Sequence, residues 1–218
     1  MTSKLSRRTL LASAAGIAAA GSQRSFAASA TSAGSARFDT DRFIEAVRAA
    51  NRETDRQKAV HEVLARTVSE PQAILAGLGE RSEVGIHSLY RSPDLTILNV
   101  IWAPMMVLFP HNHLMWATIG IYTGREDNIL WDRNGTLLQA SGASAVTERQ
   151  CFDLPDTAIH SVVNPIPRLT GAIHIYGGDF FAAPRSQWDA ETLHEHPIDL
   201  QAAQRSFREA NARFKCSQ

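Results

Sequence analysis

Apolar positions recur along the chain with two different periods, and the change falls near residue 84. Phe43, Val47 and Ala50 lie at helical spacing, and Val60, Val63, Leu64 and Val68 roughly repeat it. The region from Phe38 to about Gly79 is therefore expected to be helical. Thr40 is the expected cap of the first helix. Ser69 is expected to cap a third, short one, with Pro71 in its first turn and Gly79 after its end. Beyond residue 84 the apolar runs shorten and fill with β-branched side chains: 95–102, 117–122, 129–131, 145–147 and 169–176. Arg133-Asn134-Gly135 and Ser141-Gly142 read as turns between them. Many short strands at regular spacing point to a β-sandwich or barrel. Leu200, Ala203, Phe207, Ala210 and Phe214 share one face of a final helix. No internal repeat is visible.

Composition narrows the class. The 218 residues are 44% hydrophobic and 20% charged, with 22 basic residues balancing 22 acidic ones. That excludes a largely disordered, collagen-like or strongly basic nucleic-acid-binding chain. No stretch is long and apolar enough to read as a membrane span.

The first 30 residues stand apart. They hold Lys4, Arg7, Arg8 and Arg24 but no acidic residue. Arg7-Arg8 is followed by a mildly apolar stretch from Leu10 to Ala20, then by small-residue cleavage sites at Ser25-Phe26-Ala27 and Ala28-Ser29-Ala30. This layout predicts a cleaved twin-arginine export signal over 1–30, a small polar linker over 31–36, and one domain over 37–218. The partner implied is the twin-arginine export machinery, and the destination is periplasmic or secreted. Four of the 22 basic residues leave with the signal, so the remainder carries a net charge of −4 and has no charge-based reason to bind nucleic acid. Cys151 and Cys216 would meet an oxidising compartment, where a disulfide and two unpaired thiols are both open readings.

Four of the eight histidines lie in or beside the predicted strands. Pro110-His111-Asn112-His113 opens the run toward Tyr122. In a strand, residues two apart share a face, so His111 and His113 present two imidazoles side by side. Imidazole is a good ligand for iron, copper, zinc or nickel. His160, in Pro155-Asp156-Thr157-Ala158-Ile159-His160-Ser161-Val162-Val163-Asn164, supplies a third.

These segments resemble the two motifs of the cupin superfamily. His111, His113 and Gly124 fit the first; Pro155, His160 and Asn164 fit the second, with Thr157 in place of its usual Gly. Ala117 stands where the first motif usually carries a Glu ligand, leaving three histidines and no carboxylate. Such a site is similar to that of the thiol dioxygenases, including cysteine dioxygenase and 3-mercaptopropionate dioxygenase. Ala172-Ile173-His174-Ile175-Tyr176 looks like their S-x-H-x-Y segment, with Ala172 replacing the Ser. The resemblance implies a mainly β fold: a cupin double-stranded β-helix over 85–185, with a helical region over 37–80 and a C-terminal segment over 186–218. It implies iron(II) on His111, His113 and His160, with His174 and Tyr176 as a catalytic pair beside it. The implied reaction oxidises a small thiol to a sulfinate with O2. The family's crosslinking cysteine would fall at Thr118, so no such crosslink is expected. Arg91 loosely resembles the arginine that grips the substrate carboxylate, with Arg125 and Arg168 as rivals.

The chemistry suits the residues. Three neutral imidazoles leave a divalent ion its full positive charge, which favours an anionic ligand such as a thiolate. A non-catalytic metal- or ligand-binding cupin, or a cupin enzyme using nickel or manganese, stays open, because fold does not fix function. His194-Glu195-His196 lies in a polar segment, His61 on a helix among charged residues, and His87 is expected near the start of a strand. Glu126 and Asp127 are expected in a turn, with the cavity rim within reach of either. Met105, Met106 and Trp116 can line a pocket or simply fill the core.

Overall fold

A computed structural model describes residues 37–79, 83–135 and 137–216; the expected export signal and linker lie outside them. Three helices come first: α1 (Thr40–Ala50), α2 (Arg56–Val68) and α3 (Pro71–Leu78). Their starts differ by a residue or so from the sequence expectation. Asp39, not Thr40, caps α1, its carboxylate accepting from the Arg42 amide at 3.0 Å. Ser69 closes α2, donating its amide to the Ala65 carbonyl, so α3 begins after Glu70 with Pro71 in its first turn. Carboxylate caps prevail because an ionised acceptor also interacts favourably with the helix dipole.

Eleven strands follow: β1 (Gly85–Ser92), β2 (Leu95–Trp102), β3 (Val107–Asn112), β4 (Ala117–Thr123), β5 (Arg125–Asn134), β6 (Leu137–Thr147), β7 (Cys151–Leu154), β8 (Ile159–Val163), β9 (Thr170–Tyr176), β10 (Ser186–Trp188) and β11 (Glu195–Pro197). Helix α4 (Leu200–Cys216) ends the described chain. The strands form two antiparallel sheets, in the orders β1-β2-β9-β4-β7 and β11-β10-β3-β8-β5-β6. Within them, β2-β9-β4-β7 faces β3-β8-β5-β6, which is the strand order of a jelly roll, the double-stranded β-helix expected from the sequence.

Two apolar layers hold this arrangement. Leu98, Val100 and Trp102 of β2 point into the barrel with Ala117, Ile119 and Ile121 of β4 and with Leu108 and Val162 of the opposite sheet. The alternate residues Ile97, Ile101, Ile173 and Ile175 face outward and are covered by Val47, Leu64, Val68 and Ile74 of the helices. A sheet buried on both faces explains the unbroken apolar runs of β2 and β9. Helix α2 lies so close to β4 that a Cβ on Gly120 would sit 2.7 Å from Leu64. At the other end, Phe207 of α4 packs against Trp102 with ring centroids 5.1 Å apart.

Other local expectations change. Ser141-Gly142 is no turn. It lies within β6, where Leu130 pairs Gly142 and Trp131 pairs Ala140, leaving Ser141 as the extra residue of a bulge. His111 lies at the end of β3 and His113 just beyond it, rather than opening β4, and Leu114, with φ of 56°, turns the chain toward β4. Among the described residues no helix is long and apolar enough to cross a membrane.

Candidate metal centre

His111 sits at the end of β3 and pairs directly with His160 of β8, so the sheet register brings two ligand types from distant sequence face to face. His113, just beyond β3, completes the group; the ligand atoms of all three lie within 4.8 Å of one another, and all three residues are buried. The Nε2 atoms of His111 and His113 are 3.2 Å apart, and those of His113 and His160 are 3.1 Å apart. Two bonds on the far side of the rings fix their tautomers. His111 donates its Nδ1–H to the Phe109 carbonyl at 3.0 Å, and His160 donates its Nδ1–H to Asn128 Oδ1 at 2.7 Å. Both Nε2 atoms are then bare lone pairs aimed at a common point, which one N–H on His113 could satisfy only in part.

Those spacings suit adjacent ligands on one ion at a metal–nitrogen distance of about 2.0–2.1 Å. Among the described residues the buried Nδ1 of His113 has no hydrogen-bond partner. The donor set therefore fits a transition metal that accepts imidazole, iron(II) included. Burial chiefly keeps the rings neutral. It lowers His111 to about 4, with the Arg185 charge adding to the effect, and it holds His113 and His160 well below their ordinary value.

Depressed folded-state values make the neutral rings a source of stability above the unfolded value of 6.5. That stability is lost as pH falls toward 4. Chelator-treated protein is expected to lose about 3 kcal/mol from His111 alone over this window. Denaturant titrations at pH 7 and pH 4.5 check this. A midpoint that does not move would show that the rings are not held neutral. Separately, His160→Ala should leave a folded protein that loses most of its bound metal, as read by elemental analysis.

Beside the triad, His174 and Tyr176 share the inner face of β9, and the Tyr176 hydroxyl lies 3.1 Å from His174 Nδ1. The Tyr176 ring stands edge-on to that of His113, with centroids 4.9 Å apart, and packs on Phe180 at 4.3 Å. Burial pushes the Tyr176 phenol well above its ordinary value, so it is a neutral donor at physiological pH.

Glu126 changes the picture most. Instead of occupying a turn, it lies on β5 with its side chain wholly buried in the barrel. Its Oε2 accepts from Trp102 Nε1 at 2.8 Å and lies 3.1 Å from His174 Nε2, while its Oε1 accepts from Asn128 Nδ2 at 3.2 Å. A carboxylate only accepts, so His174 donates its Nε2–H to Glu126 and its Nδ1 accepts the Tyr176 hydroxyl proton. The result is one chain of contacts: Tyr176, His174, Glu126, Asn128, His160. Glu126 supplies His174 with a partner. The signal in the sequence was faint. Glu126, Asn128 and Leu130 share a strand face, but two of the three are polar.

Arg91 is not in the site. It makes a bidentate pair with Asp179, both bonds at 2.9 Å, and Arg125 is likewise paired with Asp127. Arg168 contributes its carbonyl to Asn164, which pins the loop between β8 and β9. The arginine that does face the triad is Arg185, absent from the sequence reading. It is 2% exposed, stacks on Phe180 at 3.8 Å from the ring centroid, and forms no ion pair among the described residues. Of the other candidates, Met106 is core, whereas Met105 is exposed. Trp116 packs outside the barrel. Thr118 points to the outer face and donates to Asp153, which also pairs with His61. His196 lies in the exposed strand β11. Cys151 and Cys216 are both free thiols.

Two cavities adjoin the triad. An inner one of about 30 Å³ is lined by His111, His160, His174 and Tyr176 among apolar residues. An outer one of about 270 Å³ lies between the barrel and α4 and also touches His111, Phe180 and Arg185.

No family model and no curated protein matches the chain. Among solved structures, similar arrangements occur in a double-stranded β-helix protein from Klebsiella pneumoniae (10% identity, TM-score 0.40, 49% of this chain and 85% of that one). An RmlC-like cupin from Methanocaldococcus jannaschii is similar over 47% of this chain and 87% of its own, at 10% identity and a TM-score of 0.38. Oxalate decarboxylase from Bacillus subtilis matches at 16% identity and a TM-score of 0.36 over 44% of this chain, which spans only 24% of that enzyme. With TM-scores this low, these likenesses add nothing to the strand order, on which the fold rests: the chain is a mainly β, double-stranded β-helix protein with a buried cluster of three histidines.

Proposed function

We propose that this protein is a metal-dependent dioxygenase that uses iron(II) and O2 to oxidise a thiol to a sulfinate, acting after export by the twin-arginine route. The observation that carries the reading is the neutral three-histidine cluster with a neutral phenol, Tyr176, packed against one of its rings. A divalent iron on these nitrogens would supply the oxygen chemistry and a full double charge to draw a thiolate. The chain does the rest. His111, His113 and His160 hold the ion, and the bonds from Phe109 and Asn128 keep two of their tautomers fixed. The inner cavity of about 30 Å³ has room for a diatomic molecule and little more. Its apolar walls exclude bulk water, which protects a reactive intermediate from side reactions. Tyr176 places its hydroxyl at the cavity's edge with the proton directed to His174 Nδ1, and His174, held by Glu126, fixes that orientation, so the phenol oxygen faces the cavity.

The test follows O2 consumption by iron-loaded protein with a panel of thiols and identifies the product. Sulfinate formed in step with O2 uptake is the expected result. Absence of sulfinate from every thiol, at full iron loading, would overturn the reading in favour of a binding protein.

A further inference from the structure

The two cavities beside the triad are neighbours divided by a thin wall. Four residues line both: Ile86, Leu108, His111 and Phe180. Ile86 belongs to β1, and Leu108 and His111 to β3, so sheet pairing fixes their backbones. Phe180 alone comes from a loop, the segment 177–185 between β9 and β10. A loop side chain ordinarily has freedom to swing. This one is held at several points. Its ring packs on Tyr176 with centroids 4.3 Å apart, and the Arg185 guanidinium lies over it at 3.8 Å, an attractive arrangement for a cation. Its amide donates to the Thr96 hydroxyl at 3.1 Å, and that hydroxyl donates to the Gly178 carbonyl at 2.7 Å. One residue before it, Asp179 accepts both bonds from Arg91 of β1, and its Oδ1 also accepts from the amides of Phe181 and Ala182. Arg91 lies over the Phe181 ring as well, 5.1 Å from its centroid. A bidentate guanidinium–carboxylate pair fixes direction as well as distance.

We propose that Phe180 is a partition that sorts ligands of the metal by girth, and that Arg91, through Asp179, is the positioning residue that holds its loop in place. The proposal rests on the three-histidine cluster holding a metal, and not on which reaction that metal performs. The space on the outer side of the ring is about 270 Å³, and on the inner side about 30 Å³. A slender molecule of two or three atoms in line fits the inner space. A molecule with a ring or a branch beside its donor atom meets Phe180 first. The interior around the ring is packed, so it cannot yield without displacing Tyr176 or Arg185. The wall thus selects by shape alone, without reading charge.

Two thiol-free metal ligands test this on cobalt(II)-loaded protein, whose visible spectrum reports each titration: azide, three atoms in line, and imidazole, a flat ring. Phe180→Ala is expected to tighten imidazole binding about 10- to 100-fold, the cost of overpacking a closed space expressed as affinity. Azide affinity should stay within about twofold of the wild type, because azide already fits. Phe180→Leu keeps more of the packing and should give the same pattern at smaller size, which covers the case of an alanine variant that fails to fold. Arg91→Met should tighten imidazole binding about two- to fivefold, the small worth of an exposed ion pair, and leave azide unchanged. Arg91→Lys, which keeps the charge, should restore part of the wild-type discrimination. A phenylalanine that only fills space would lower the melting temperature in the same way, so the ratio of the two affinities decides. Imidazole binding unaltered by both Phe180 variants, or azide tightening as much as imidazole, would overturn the partition. An unaltered ratio in Arg91→Met would remove Arg91 from it. A wild-type protein that takes up no cobalt would overturn the centre and the partition together. The expected pattern with no sulfinate from any thiol would retain the partition and remove the dioxygenase. Sulfinate formation with no change of ratio in either Phe180 variant would do the reverse.

Discussion

Tyr176→Phe is expected to lower thiol-dependent O2 consumption by about 10- to 1,000-fold, the range for losing a proton donor or a preorganised polar group at a reacting centre. The substitution removes one hydroxyl and almost no volume. The ring keeps its edge-on contact with His113 and its packing on Phe180. Metal content should therefore equal that of the wild type. The hydroxyl lost is the one that bonds His174 Nδ1 at 3.1 Å, at the edge of the inner cavity. His174→Gln should produce a smaller loss, because the phenol remains but its direction is no longer fixed. If the pair served only the fold, turnover per folded, iron-loaded molecule would stay unchanged while the melting temperature fell. Iron content, melting temperature and sulfinate yield measured on the same samples distinguish the two patterns.

Glu126→Ala is expected to be the most damaging single truncation for stability. Its carboxylate meets three buried donors, on Trp102, Asn128 and His174. Each buried donor left without an acceptor costs about 1–3 kcal/mol. A total loss of about 3–5 kcal/mol, as found when a buried charge network is broken, corresponds to a fall in melting temperature of about 10 °C. Asn128 would also lose the partner that orients its amide toward His160, so metal affinity should fall by about 10- to 100-fold. Glu126→Gln keeps the shape but turns an NH2 toward a donor, so a smaller loss of the same kind is expected. Calorimetric melting with and without iron, and a metal titration, read both effects. A Glu126→Ala protein that melts and binds metal like the wild type would show that the network does not support the centre.

The parts of the site that could be read in advance depend on local spacing. His111 and His113 lie two residues apart, so any extended backbone puts them on one side, even though they sit at the end of β3 and just beyond it rather than in β4. His174 and Tyr176 share a face of β9 for the same reason. The alternation and length of the apolar runs announced a helical region followed by a sandwich or barrel and a final helix, and Gly124, with φ of 83°, closes the turn between β4 and β5.

Charge and pairing were decided otherwise. Arg91 looks free in the sequence, but its partner, Asp179, lies 88 residues away. Glu126 reads as a turn residue because acidic side chains rarely enter a core. It is tolerated there because Trp102 and His174 come from strands in the opposite sheet. Arg185 has no local pattern at all, and only the fold buries it against Phe180 without an ion pair among the described residues. The sequence by itself determined the periodicity, hence a sandwich or barrel, and the histidines whose spacing coincides with the strand repeat. Only the tertiary structure decided which charges are paired, which are buried and which face the cavity. Backbone period is a short-range property of the chain, whereas desolvation and ion pairing depend on neighbours that strand pairing brings from tens of residues away.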